Sequence, residues 1–542
     1  MNAIACLAGL AAAVPLFAAG QTPVPKLIVV ISVDQFSADL FAEYRPSYTA
    51  GLKRLSTGTV FPSGYQSHAV TETCPGHSTI LTGAHPSRTG IVANDWIDQS
   101  PDRAGKQVYC AEDPRAPRPS PGTRVVSAIQ LKVPTLGDWL KAAHPQSRVI
   151  SVAGKDRAAI MLGGHSIDQA WFWDGKAYVS LPDRTGPVPV VVAQVNAAVS
   201  RSIARPSPVT LPAACRARSA VLAAGATSVG TLVNRKPGDY DAFPTSLDFD
   251  RATTDIAIGL IQELKPGAGA APDVVAVGLS GTDYVGHAYG VEGAEMCAQV
   301  LDVDRNIGRL LEAVDGLHVP YLVVLTADHG GHDLPERNQR RAFPAATRVD
   351  PELTAAKIGQ RLALEFGLPE PVLSSLAPGG DIYLRSDIPA GLRPRVIEAA
   401  RAAYAGHPQV AAVYTATELR RLAAPTGAAD EWSLAERIRA SYDPDRSGDL
   451  FVVLKAQVTA ISRAQPGYVA THGSPWNYDR RVPVVFYRPG MTGFEQPLPV
   501  ETVDILPTLA AQIGLPLEPT AIDGRCLEIF PVAAPSCPAR DR

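Results

Sequence analysis

This sequence predicts an α/β fold: a mainly parallel central sheet flanked by helices, with inserted cap or subdomain segments. Three observations carry the prediction. Short, mostly apolar runs recur at 26–34, 147–153, 273–279 and 321–326, the pattern of strands buried on both faces. Helical patterns separate these runs, so strands alternate with helices. Each run also ends in polar residues able to do chemistry, and in open α/β sheets ligands bind beyond the carboxyl ends of the strands.

The elements follow in chain order. Residues 1–20 read as an export signal. They are small and apolar through Ala19, with Ala18, Ala19 and Gly20 offering a cleavage site, although the n-region has only its α-amine for positive charge. Pro15 breaks the run, which is short for a membrane span. The mature chain, 21–542, is read as one catalytic domain with insertions around 97–130 and 160–245. The first strand, 26–34, ends at Asp34, and helical patterns follow at 36–44 and 50–55. Residues 97–124 turn polar and Pro-rich, as a surface excursion does. A helix led by Thr135 precedes the second strand, and Lys155-Asp156-Arg157 follows that strand. An aromatic, hairpin-like run (Trp171, Phe172, Trp173, Tyr178) and a helix over 190–203 lie in the second insertion. A helix over 248–264 leads to the third strand, which runs into Asp283 and His287. In the helix 292–314, Met296, Val300, Val303, Ile307, Leu310 and Val314 recur every three or four residues. The fourth strand ends in Asp328-His329. Helices at 354–366 and 392–405 and small strands near Tyr383 and 410–414 come next. Strands at 449–454 and 482–487 then frame a loop holding His472, and a last helix covers 503–513.

Composition bounds the function. The chain has 542 residues and a net charge of −3, so no basic excess points to nucleic acid and no acidic tail points to disorder. Of seven Cys, removal of the signal leaves six, and no CxxC is present. An even set in an exported chain permits disulfides, and Cys526 with Cys537 suggests one pair. The missing CxxC argues against a thiolate zinc site.

The stretch Thr71-Glu72-Thr73-Cys74-Pro75-Gly76-His77 places two hydroxyl residues ahead of a Pro, a Gly and a helical pattern. Pro suits the first turn of a helix. Thr73 then stands at a helix N-terminus, where backbone N–H groups favour an anion. It is either a plain N-cap or a hydroxyl placed to attack phosphate. Elsewhere Asp34, Asp283, His287, Asp328, His329 and His472 supply carboxylates and imidazoles without Cys, a set suited to zinc. Singly, each has an ordinary reading as a turn cap, a core His or a loop His. Their shared placement at strand ends favours two metal ions, which at about 4 Å apart clamp an in-line phosphoryl transfer.

These residues resemble the alkaline phosphatase superfamily, and in particular the phosphate-irrepressible alkaline phosphatases with a Thr nucleophile. The matching motifs are Val33-Asp34, Thr71 to His77, Gly90 to Asp95, Gly154-Lys155-Asp156-Arg157, Asp283-Tyr284-Val285-Gly286-His287, Asp328-His329-Gly330 and Thr471-His472-Gly473, with Asp504 to Thr508 and Asp523-Gly524 as a closing segment. The resemblance implies an alkaline-phosphatase-like sheet and two Zn2+. Asp34, Thr73, Asp328 and His329 would hold one zinc; Asp283, His287 and His472 would hold the other. Thr73 would be phosphorylated, with Asn94, Lys155 and Arg157 on the phosphate oxygens. Lys155 and Arg157 match the extra charge of a monoester. Related nucleotide pyrophosphatases/phosphodiesterases characteristically lack that pair, and the C/S-x-P-x-R pattern of a sulfatase is absent. No carboxylate set for a third, magnesium, site is evident, and the resemblance implies that Lys155 would do the charge work of that site.

The expectation is therefore an exported, periplasmic or secreted, zinc-dependent phosphomonoesterase acting on small-molecule phosphate monoesters through a phospho-threonine. No nucleic acid recognition and no membrane anchor after signal removal are expected. A phosphodiesterase of the same superfamily is the alternative enzyme, and a non-catalytic zinc- or phosphate-binding protein the alternative of another class. His77 is expected to orient the nucleophile helix, His332 to back the site or lie in an exposed loop, and Cys74 to pack or form a disulfide.

Overall fold

The computed structural model describes residues 23–100, 106–116, 125–182, 186–207, 210–230, 235–530 and 537, so the signal reading for 1–20 lies outside the described residues. Its centre is a nine-stranded sheet. In chain order its strands are β1 (Leu27–Val33), β2 (Thr59–Tyr65), β3 (Val149–Ala153), β4 (Gln169–Trp173), β5 (Tyr178–Val179), β6 (Asp273–Leu279) and β7 (Tyr321–Thr326). Four strands that follow, β8 (Leu373–Ser374), β9 (Gly380–Leu384), β10 (Val410–Thr415) and β11 (Leu450–Leu454), form a separate sheet. The central sheet is completed by β12 (Arg481–Tyr487) and β13 (Val500–Glu501). Its spatial order is β13-β2-β12-β7-β1-β6-β3-β4-β5.

The middle of this sheet is parallel: β1 pairs with β6 and β7, β6 with β3, and β3 with β4. Its flanks are partly antiparallel, because β12 runs against both β7 and β2, and β5 against β4. The apolar runs explain the middle. Val29, Ile31 and Val33 face one core, packed with Ile256, Leu260, Val303 and Ile307. Ile28 and Val30 face the other, packed with Ile80, Leu81, Ile505 and Leu509. A strand covered on both faces has no polar side to show.

The predicted hairpin of aromatics is present, and it extends the central sheet at its edge. The strand framing the His472 loop on its N-terminal side, β11, belongs instead to the second, antiparallel sheet of order β8-β9-β11-β10. The helices Leu136–Ala143 and Ala355–Phe366 begin where Thr135 and Thr354 accept first-turn N–H groups. Three disulfides join Cys74 to Cys110, Cys215 to Cys297 and Cys526 to Cys537. Among the described residues, no helix is long and apolar enough to cross a membrane.

Candidate active site

Four central strands deliver their C-terminal ends to one place. Asp34 directly follows β1, and Asp328 and His329 follow β7. Lys155 follows β3 and leads into the helix Asp156–Gly163. Asp283 and His287 lie one turn apart on the helix Gly281–Tyr289, which follows β6. The helix Thr73–Thr82 packs against the same edge. A Cβ on its Gly76 would lie 1.9 Å from the backbone oxygen of Asp328, so only glycine permits the approach.

Thr73 is the first residue of its helix and is 1 % exposed. Glu72, not Thr73, occupies the N-cap position, so the capping alternative for Thr73 does not hold. Its hydroxyl instead lies 3.2 Å from Lys155 Nζ and 3.5 Å from Arg157 Nη2. Lys155 is buried and also lies 2.6 Å from Asp34 Oδ2 and 2.5 Å from Asp283 Oδ2. Burial opposes its charge, but Asp283 and Asp34 outweigh this and raise its pKa. The ammonium therefore remains protonated beside Thr73.

Two sets of ligand-type atoms lie within 4.8 Å of one another: Asp283 with His287 and His472, and Asp34 with Asp283 and His329. The three imidazoles share one arrangement. Nδ1 of His287, His329 and His472 meets the carbonyl oxygens of Ala470, Gly330 and Thr71 at 2.9, 2.8 and 2.8 Å. A carbonyl only accepts, so Nδ1 carries the hydrogen. In the neutral tautomer Nε2 then presents a lone pair. Those Nε2 atoms face carboxylate oxygens. His287 and His472 each lie 3.3 Å from Asp283 Oδ1, while His329 lies 3.4 Å from Asp328 Oδ2 and 3.5 Å from Asp34 Oδ1. Asp34 Oδ1, Asp283 Oδ1 and His329 Nε2 are buried without a hydrogen-bond partner. Acceptor facing acceptor at such distances calls for a cation between them, and a backbone-oriented Nδ1–H is the support that metal-ligating histidines use. Burial pushes His329 down to about 3 and His287 to about 4, which keeps both neutral. His472 moves the other way. Burial lowers it, but its contact with Asp283 raises it on balance.

Asp328 is not part of either close set; its Oδ2 also lies 3.1 Å from His77 Nδ1, and that nitrogen is 2.9 Å from the Thr73 carbonyl. His77 thus ties the Thr73 helix to the Asp328 loop. His332 is buried, with Nε2 3.1 Å from Thr459 Oγ1, and is absent from the close sets. Asn94 sits beside the Thr73 helix, its Oδ1 accepting the Cys74 N–H at 2.8 Å. Three contributors were not singled out from the sequence. Tyr109 donates to Asp156 Oδ1 at 2.5 Å, next to Arg157. Tyr284 places its ring 5.4 Å from Lys155 Nζ. Tyr468 lies with its ring 5.2 Å from that of His287. Tyr284 follows Asp283 directly, which is a signal of a kind; the other two are brought in by distant segments.

A model of the type I phosphodiesterase / nucleotide pyrophosphatase family matches residues 28–475. The chain belongs to that family, within the alkaline phosphatase superfamily. It is 52 % identical over 519 residues to alkaline phosphatase PhoD of Zymomonas mobilis subsp. mobilis, covering 95 % of this chain and 90 % of the relative. It is 51 % identical over 519 residues to alkaline phosphatase PhoK of a Sphingomonas species, covering 95 % and 92 %. The crystal structure of wild-type alkaline phosphatase PafA superposes with a TM-score of 0.81 at 26 % identity, covering 94 % of this chain and 99 % of the other. The mainly parallel sheet with helical flanks and inserted segments is thus the alkaline phosphatase fold.

Proposed function

We propose that this chain is an exported, two-zinc phosphomonoesterase that turns over phosphate monoesters through a phosphorylated Thr73. The relatives named above support phosphatase-type hydrolysis. The observation that carries the finer reading is the Thr73 hydroxyl at the start of a helix, within 3.5 Å of both Lys155 and Arg157 and beside the carboxylate–imidazole sets.

The residues fit zinc: buried carboxylate oxygens and imidazoles with oriented Nδ1–H groups form a borderline donor set. Asp34, Asp328, His329 and Thr73 would hold one ion, and Asp283, His287 and His472 the other. Bound there, the pair would supply Lewis-acid stabilisation of charge in an in-line displacement. The chain's own residues do the rest. Lys155, Arg157 and Asn94 hold the non-bridging oxygens. Thr73 Oγ1 attacks phosphorus and its proton is released. The bond from phosphorus to the ester oxygen breaks, and the alcohol leaves after taking up a proton. Water then attacks the phospho-threonine, which releases inorganic phosphate and restores the hydroxyl.

Two cations beside Thr73, Lys155 buried and Arg157 half-buried, favour a monoester, whose non-bridging oxygens carry more charge than those of a diester. The diester reading rests on the name of the matching family. The mature chain, 21–542, is proposed to act as one catalytic domain with insertions around 97–130 and 160–245, in the periplasm or the medium. The test is a comparison of matched mono- and diesters on purified protein, before and after chelation and after zinc is restored. Phosphate release that prefers the monoester, stops with chelation and returns with zinc is expected. Preference for the diester, or release indifferent to chelation, would contradict the proposal.

A further inference from the structure

Glu72 stands at the N-cap of the Thr73 helix and makes no side-chain capping bond there. Residues at that position ordinarily turn a side-chain oxygen onto an N–H of the first turn. Here the task is exchanged. Glu72 Oε2 accepts the backbone N–H of Asn94 at 2.7 Å, and Asn94 Oδ1 accepts the backbone N–H of Cys74, in the first turn, at 2.8 Å. The backbone oxygen of Asn94 in turn accepts the Cys110 N–H at 2.9 Å, and a disulfide joins Cys110 to Cys74. Asn94 is therefore held at its N–H, its C=O and its side-chain oxygen by residues that flank Thr73 or are bonded to a flank.

This fixes the chemistry Asn94 presents. Only oxygen can meet the Cys74 N–H, so the orientation of the amide is set and its Nδ2 hydrogens are what it can offer a ligand. A donor is what a phosphoryl oxygen requires. On the reading that Thr73, Asn94, Lys155 and Arg157 take a phosphoryl group, we infer that Glu72 is a positioning residue: it seats the Asn94 loop so that the amide donates to phosphate.

The experiment uses the mature, zinc-loaded chain as wild type, E72A, E72Q, N94A and the double variant E72A/N94A. Three readouts are taken: affinity for inorganic phosphate by calorimetry, kcat and KM on a phosphate monoester, and hydrogen exchange of the Asn94 amide. E72A is expected to weaken phosphate binding and kcat/KM roughly tenfold, the scale of one hydrogen bond to a charged group left unmade. E72Q keeps an accepting oxygen and is expected to stay within about threefold of wild type. On the N94A background, E72A should cost less than about twofold more, because the two act as a unit. Asn94 amide protection should fall in E72A and persist in E72Q. If E72A does not fold, E72D, with the charge kept and the arm shortened, replaces it with the same expected loss. Full additivity of the two substitutions, or E72Q as damaged as E72A, would overturn the inference. A wild type that neither binds phosphate nor turns over monoester would sink the functional reading, and the exchange readout would still decide whether Glu72 seats Asn94.

Discussion

The two halves of the metal-type site are built differently. Asp34 directly follows β1, Asp328 and His329 follow the adjacent parallel strand β7 after Ala327, and none is more than 1 % exposed. His287 and His472 stand on a helix and a loop, with side chains 19 % and 6 % exposed. Asp283 belongs to both close sets. The inner half is positioned by sheet pairing, which cannot shift without disturbing the core. The outer half is positioned by hydrogen bonds from Nδ1 to the Ala470 and Thr71 carbonyls, and through the His472 ring, which stacks on His329 with centroids 3.6 Å apart. A rigid inner half and a more open outer half predict unequal tolerance to substitution and to chelation.

The largest effect should come from the inner half. D34N is expected to lower kcat/KM by about a thousandfold or more, with no recovery in excess zinc, since it removes charge from a buried site that water cannot replace. H472Q or H287Q should cost less, about ten- to a hundredfold, and should recover in part when zinc is raised. Equal, unrecoverable losses in both halves would erase the distinction. Metal content measured during slow chelation should fall in two steps, with the first ion leaving while H287Q protein is already depleted of it.

Substituting the cations between the halves separates substrate charge from metal binding. K155A with R157A should reduce monoester turnover about a hundredfold and diester turnover less than about tenfold. Matched losses would mean that the pair supports the site and does not read phosphate charge. Because Lys155 also contacts Asp34 and Asp283, metal content should be measured on the same preparation.

The smallest effect lies outside both halves and bears on work at alkaline pH. His85 lies 2.9 Å from Glu501 Oε2 and 3.4 Å from Asp523 Oδ2. Burial lowers its pKa, but hydrogen bonds to Asp523 and Glu501 prevail and raise it to about 10, from an ordinary 6.5. A raised folded pKa stabilises fully below pH 6.5 and loses that contribution as pH climbs through 10. Stability should therefore fall over this window by a contribution of up to about 5 kcal/mol. H85Q should be less stable at neutral pH and show a flatter decline, measured by denaturant unfolding. An unchanged pH profile would show that His85 does not carry it.

Much of the site was legible because buried parallel strands announce themselves as apolar runs and their ends must face the ligand edge. Asp34, Lys155, Asp283 and Asp328 are found by that rule alone. The strand β2 was missed, since Pro62 and Gly64 hide it and its partners β12 and β13 come more than 400 residues later. The antiparallel direction of β12 is equally invisible, because an apolar run has no direction. The disulfide partners Cys74–Cys110 and Cys215–Cys297 are set by tertiary approach and not by spacing. Glu72 looked like part of a motif without a task of its own. Its task appears only when the Asn94 loop is seen beside it.

The most direct test concerns Thr73. The enzyme is mixed with a monoester labelled in its phosphoryl group, quenched in acid during turnover, and digested for peptide mapping. Label on Thr73 in the wild type, together with absent label and abolished turnover in a T73A variant that still holds its zinc, is the expected result. Label on another residue, or full turnover by T73A, would contradict the assignment of Thr73 as the phosphate acceptor.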